Sequence, residues 1–332
     1  MKFHQMVLLL PLLGFYPMTL AQAEQTDIVF SGCCDASAAA ALDNKHIVVA
    51  DDEQNTLRIY ELSGGNAISE IKMDDFIGHT GSKKKKPQEV DIEAAAQIGT
   101  RTYWVGSHGR NSKGKEALPR QQIFATETKA VDGKLTLEPV GKPYADLLKD
   151  LFAAPQLKKY NLKKASLSAP KKSGALNIEG LAESAEGGLL IGFRNPIPRG
   201  KAIVVPLLNP ADIIEGMPAK IGKPLELDLG GLGIRSLGRL GDRYLIIAGA
   251  FDVGEGSKLF TWKGGKDKPT QVDGVTFPGL NPEAVTFSTE GDSTKYLILS
   301  DDGTLSVDGQ DCKRLKDAAL KKFRGRLLEI GS

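Results

Sequence analysis

Five stretches of the chain repeat one alternation of polar and apolar character. A charged residue opens each, small and apolar residues follow, a polar turn interrupts, and a strongly β-prone run comes next. The stretches are DASAAAALDNKHIVVADDE (35–53), DIEAAAQIGTRTYWVGSHGR (91–110), NIEGLAESAEGGLLIGFRN (177–195), GIRSLGRLGDRYLIIAGAFD (233–252) and NPEAVTFSTEGDSTKYLILSDDG (281–303). Their charged openers are Asp35, Glu93, Glu179, Arg235 and Glu283, spaced 58, 86, 56 and 48 residues apart. Apolar runs without strict alternation are what strands buried on both faces require, so each stretch predicts a buried β-hairpin. A third strand follows at 56–62, 121–127, 202–207 and 258–264, and a weaker fourth at 68–73, 135–140, 225–229 and 270–275.

Four antiparallel strands repeated around an axis make a propeller blade. The pattern therefore predicts an all-β, single-domain β-propeller of about five blades, since a β-sandwich would not repeat one motif so regularly. Blade repeats commonly run ~40–50 residues, so most units carry a loop insertion. The longest gap holds YADLLKDLFAAPQLKKYNLKKA within 141–176, with apolar residues near helical spacing. It predicts a helical insertion on a loop, with a sixth blade as the alternative. The last unit has few strands of its own, namely YLILS, TLSVDG (304–309) and GRLLEIG (325–331). Pairing of 26–31 with 325–330 would complete its blade and close the ring. The alanines of the first strands are small because inner strands crowd at the axis.

The N-terminus changes the setting. Lys2 and His4 precede the apolar segment MVLLLPLLGFYPMTL (6–20), and AQA (21–23) fits a small-x-small cleavage site. A secretory signal at 1–23 is expected, with a propeller domain over 24–332 and a periplasmic or secreted location. The run falls short of the ~20 residues a membrane span needs, and Cys33 lies too far beyond it for a lipoprotein anchor. Export permits disulfides. Of Cys33, Cys34 and Cys312, a Cys34–Cys312 bridge would staple the closing seam; Cys33–Cys312 is the alternative. Three cysteines without a CxxC pair do not make a zinc site. Lys and Arg number 43 against 41 Asp and Glu, which gives no sign of a nucleic-acid partner or a membrane surface.

The motifs CDASAA (34–39), EVDIEAAA (89–96), YWVGSHGRN (103–111), NIEGLA (177–182), LLIGFRNP (189–196), LDLGGLGIRS (227–236), NPEA (281–284) and LSDDG (299–303) resemble a bacterial family catalogued as domain of unknown function 3616. The likeness spans nearly all of the chain after the leader. It implies a propeller and lends no substrate. A weaker likeness to esterase-like and phytase-like propellers rests on IEGLA.

Chemistry is expected where the polar ends of the hairpins converge. These are the five openers together with Asp51, Asp52, Glu53, His108, Arg110, Arg194, Asn195, Asp252, Asp301 and Asp302. Three readings compete. The acids can accept backbone N–H bonds and pair with Arg235, a structural role. Several carboxylates, Glu93, Glu179 and Glu283 first among them, suit Ca²⁺ or another hard cation. Or Arg110, Arg194, Arg235 and His108 receive the phosphate or carboxyl group of a small anionic ligand. A hydrolase would then use Glu93 or Glu179 as base and His108 as acid. The alternative function is a non-catalytic scaffold for a protein or envelope component. GxSxG and Walker A motifs are absent; GRNSKGK (109–115) lacks the phosphate-loop spacing. His46 reads as structural, His79 as a loop residue, and KKKK (83–86) as a solvated loop tip.

Overall fold

The computed structural model describes residues 27–78, 88–252, 256–290 and 293–329. The leader, His79 and the lysine run at 83–86 lie outside the described residues.

The β-prone runs form five sheets around one axis, each antiparallel and four-stranded, with an additional short edge on the fifth. Blade 1 comprises Ala36–Ala41, His46–Asp51, Gln54–Glu61 and Ser69–Lys72. Blade 2 comprises Ile92–Ile98, Arg101–Gly106, Ile123–Val131 and Lys134–Tyr144. Blade 3 comprises Asn177–Glu183, Leu189–Asn195, Ala202–Leu207 and Leu225–Leu227. Blade 4 comprises Gly233–Leu240, Arg243–Gly249, Lys258–Trp262 and Thr270–Gln271. Blade 5 takes Pro282–Glu290, Ser293–Ser300 and Lys322–Leu328 from the end of the chain and Ile28–Ser31 from its start. The five-bladed propeller and the helical insertion agree with the sequence pattern.

The seam pairs Ile28 with Gly325 through to Ser31 with Lys322. Phe30 stacks on Phe323 at 4.8 Å, and Tyr60 of blade 1 sets its edge against both rings. Apolar burial drives this closure. A disulfide joins Cys34, just before blade 1, to Cys312, in the loop between two strands of blade 5, across 278 residues. Cys33 is buried and free.

A blade buried on both faces needs an apolar layer in every gap. Five clusters fill the five gaps. Trp104 and Phe124 anchor the gap between blades 1 and 2, and Tyr244 and Trp262 that between blades 3 and 4. Beside blades 2 and 3 the insertion forms helices Leu147–Ala153 and Leu162–Ala165 with a 3₁₀ turn at Pro155–Tyr160. It adds Leu147, Leu151, Leu157 and Tyr160 to the same core.

One expected strand falls outside the blades. TLSVDG contributes Ser306–Val307 to a separate miniature hairpin with Gln310–Asp311. Its turn residues Asp308 and Gly309 both have positive φ, and an Asp-Gly pair of that kind folds the strand back on itself. No helix among the described residues is long and apolar enough to cross a membrane.

Candidate functional site

Each inner strand carries a β-bulge at the same place. The ladders skip one residue between Ala36 and Ala38, Ile92 and Ala94, Ile178 and Gly180, Ile234 and Ser236, and Pro282 and Ala284. The extra residues are Ser37, Glu93, Glu179, Arg235 and Glu283. A bulge re-aims a side chain that a regular pleat would send into the neighbouring layer. Four of the five openers expected from sequence are therefore equivalent. Asp35 is not one of them. It stands two residues earlier, level with Asp91, Asn177, Gly233 and Asn281, and Ser37 takes the fifth bulge. Asp91 thus has a counterpart in every blade. Charge aligned Asp35 with Glu93, whereas pleat register aligns it with Asp91.

The arginines at the axis are already ion-paired, although Arg235 Nε has no partner among the described residues. Arg194 donates from Nη1 to Glu179 Oε1 at 2.6 Å and from Nε to the Ala250 carbonyl at 3.1 Å. Arg235 forms an ion pair with Glu283. Asn281 Nδ2 bridges Glu283 and Asp301 at 3.3 and 3.1 Å. Glu179 is 3% exposed; Oε1 also accepts from Asn177 Nδ2 at 2.6 Å, while Oε2 has no partner among the described residues.

Other expected residues serve their loops. Arg110 donates to the carbonyls of Ser166 and Gly114. Asn195 Nδ2 donates to those of Pro170 and Lys172. Both thereby hold the helical insertion and its flank. Asp302 receives Arg324 on both carboxylate oxygens at 2.8 Å, and Glu53 receives Lys313. His108 is 1% exposed, and its Nδ1 bonds the Gly106 carbonyl at 2.8 Å. Burial lowers its pKa to about 4, so it is neutral. No ion pair or hydrogen bond joins it to Glu93 or Glu179 among the described residues.

What remains is a surplus of acid on blades 1 and 2. Oxygens of Asp35, Asp51 and Asp52 lie within 4.8 Å of one another, and so do those of Asp52, Asp91 and Glu93. Asp52 belongs to both groups, and its Oδ1 is buried without a partner among the described residues. Burial is the first cause of every shift here. It raises Asp35 to about 8, with the charges of Asp301 and Asp51 adding to it. It raises Asp51 to about 6 against the pull of Arg58. Asp91 rises to about 7 although Arg120 binds it at 2.7 Å. Asp52 and Glu93 rise well above the ordinary carboxylate range, Glu93 with the charge of Glu179 as the next cause. Asp91, a member of this site, and His108 both hold left-handed backbone, φ 56° and 55°, a conformation that non-glycine residues hold at a cost. The motif DD at the end of HIVVA was the sequence signal for Asp51 and Asp52. Nothing in it announced that the bulged Glu93 would meet them.

A groove of about 810 Å³ runs outward from Arg235 between blades 4 and 5. Its floor is apolar, with Val275, Phe277 and Leu280, and its rim carries Asp252, Lys258 and Asn281.

The family described as protein of unknown function, DUF3616, matches residues 35–132 and 124–276. No curated protein matches the chain. Solved structures similar to it include a GH43 β-1,3-galactosidase with galactodeoxynojirimycin, at 8% identity over 90% of this chain and 91% of that one, TM-score 0.49. A GH43_1 enzyme from Xanthomonas citri complexed with xylose is 10% identical over 92% and 91%, TM-score 0.48. Glutaminyl cyclase from Myxococcus xanthus is 12% identical over 91% and 95%, TM-score 0.42. At such identities no substrate or reaction carries over.

Proposed function

The chain belongs to the DUF3616 family, and from its axial geometry we propose that it binds a hard divalent cation, Ca²⁺ first, and uses it to hold the anionic group of a small ligand. The observation that carries this reading is the oxygen cluster of Asp52, Asp91 and Glu93, all within 4.8 Å. Buried like charges at that spacing are stable only when protonated or neutralised by a cation. The charges of Arg194 and Arg235 are balanced by Glu179 and Glu283, which speaks against direct capture of an anion by either, while Arg235 Nε alone stays without a partner among the described residues. Carboxylate oxygens are the donors Ca²⁺ prefers, and it takes 6–8 of them. Three carboxylates leave positions for water and for a phosphate or carboxylate oxygen. The groove beside Arg235 gives the rest of such a ligand room.

The reaction such a centre supports is hydrolysis of a phosphate or carboxyl ester. A cation held by Asp52, Asp91 and Glu93 would supply Lewis-acid polarisation of the ester and of a bound water. The expected leader and the disulfide favour an exported protein, where Ca²⁺ modules work at Kd values of ~10⁻⁴–10⁻³ M.

Calorimetric titration of metal-stripped protein with Ca²⁺ and Mg²⁺ tests the reading. Ca²⁺ should bind, and Asp52→Asn and Glu93→Gln should each weaken it at least ~tenfold, since each removes a charged donor. The absence of saturable binding by either cation, or unchanged affinity in both variants, rejects the centre. Turnover of p-nitrophenyl phosphate and p-nitrophenyl acetate with and without Ca²⁺ then separates hydrolysis from binding alone. Binding without turnover leaves a cation-dependent binding protein, and neither leaves the scaffold for an envelope component.

A further inference from the structure

The axis ends in acids at one mouth and in alanine at the other. Where the inner strands finish, a cavity of about 230 Å³ opens, lined from all five blades. Ala39 and Ala41 of blade 1, Ala95 of blade 2 and Leu181 of blade 3 make much of its wall. Phe287 and Tyr296 supply aromatic surface from blade 5. The volume falls just below the ~300–1,000 Å³ of ordinary small-molecule sites, which suits a ligand of one ring.

Two polar groups in this wall lack partners among the described residues. Thr286 is 3% exposed, lines the cavity, and its Oγ1 has no hydrogen-bond partner among the described residues. Arg239 also lines it, and its Nε is buried without one. Buried polar atoms are nearly always satisfied, so a hydroxyl and an N–H held open in a chamber walled by alanines, aromatic rings and a few polar side chains mark where a ligand oxygen belongs. The charge of Arg239 is already balanced, because Nη1 donates to Glu183 Oε2 at 2.7 Å. A second anion would find no unpaired cation there among the described residues.

We propose that this mouth binds a small neutral single-ring molecule bearing one hydroxyl. Its ring lies among the alanines, Leu181 and Phe287, and its oxygen accepts from Arg239 Nε and exchanges a hydrogen bond with Thr286 Oγ1. An aromatic ring is favoured because Phe287 and Tyr296 offer edges and faces for ring packing. The site is independent of the acidic mouth and of any cation there.

Phenol is the probe, with benzoate as its anionic counterpart, titrated in EDTA and followed by calorimetry and by ligand-observed NMR. Phenol should bind saturably. Thr286→Val, which keeps shape and removes the hydroxyl, should weaken it ~3–10-fold. Ala41→Leu, at a partly exposed position on the rim, should fill the cavity and reduce binding beyond detection. Benzoate should bind at least ~threefold more weakly than phenol, since no free cation meets its charge. Far-UV circular dichroism establishes that both variants keep the fold. The proposal fails if phenol does not saturate up to its solubility, if both variants bind it as the parent does, or if benzoate matches it.

Discussion

A carboxylate buried beside others can shed its charge onto a proton, an arginine or a cation. Glu179 and Glu283 take arginines. Asp35 and Asp91, raised to about 8 and about 7, take protons when no cation is present. The sign of the pH effect follows. Both pKa values are raised by folding, so the folded state holds protons that the unfolded chain has released. That stabilisation is complete below the unfolded value of 3.8 and is lost as pH rises through about 7 and about 8. His108 acts oppositely: its folded value of about 4 lies below 6.5, so its penalty grows as pH falls through that interval. Above 6.5 the carboxylates act alone. Calorimetric melting in EDTA should therefore show a falling Tm from roughly pH 6.5 to 8.5, by ~2–4 °C per kcal/mol lost. Saturating Ca²⁺ should flatten the slope, and Asp35→Asn should remove part of it. A flat profile in EDTA contradicts these shifts.

Strands set how near those residues come. Blades approach closely enough that glycine is required by space at Gly233, where a Cβ would stand 1.9 Å from the carbonyl oxygen of Arg194 on the second strand of blade 3. Gly233→Ala should push blade 4 from blade 3 and cost roughly 1–3 kcal/mol or more, read as a lower urea midpoint at unchanged slope. A variant with parental stability would show that the contact relaxes freely. At this scale the hairpins were legible, since apolar runs bounded by turns identify buried strands. The bulges were not. Whether Asp35 or Ser37 matches Glu93 depends on which residue the partner strand skips, and both choices keep the same string of alanines. TLSVDG misled for a related reason: its Asp-Gly turn was as strong a signal as its β-prone residues.

The ring as a whole depends on a seam between residues almost 300 positions apart, as in the pairing of Ile28 with Gly325. Removing the Cys34–Cys312 bridge by paired serine substitution frees a loop of 278 residues in the unfolded chain and should cost roughly 2–5 kcal/mol. Guanidinium unfolding of the parent with and without reductant should reproduce the difference, and equal midpoints would show that the seam strands close the ring unaided. Phe30→Ala, which removes the ring stacked on Phe323 and edged by Tyr60, should cost about 3–5 kcal/mol. By itself the sequence determined the repeat, the five blades, the helical insertion and the pairing of the chain ends, because periodic burial and turn chemistry are written locally. Tertiary structure alone decided what stands at the axis. Asp52 sits in the turn after a strand of blade 1, Asp91 and Glu93 flank the first residue of one in blade 2, and their oxygens meet only because the bulge and the ring bring both ends to the axis. Arg110, Asn195 and His108 have the same kind of sequence credentials, yet their loops fold back onto nearby carbonyls, since a short path to a backbone partner outcompetes a long reach to the axis.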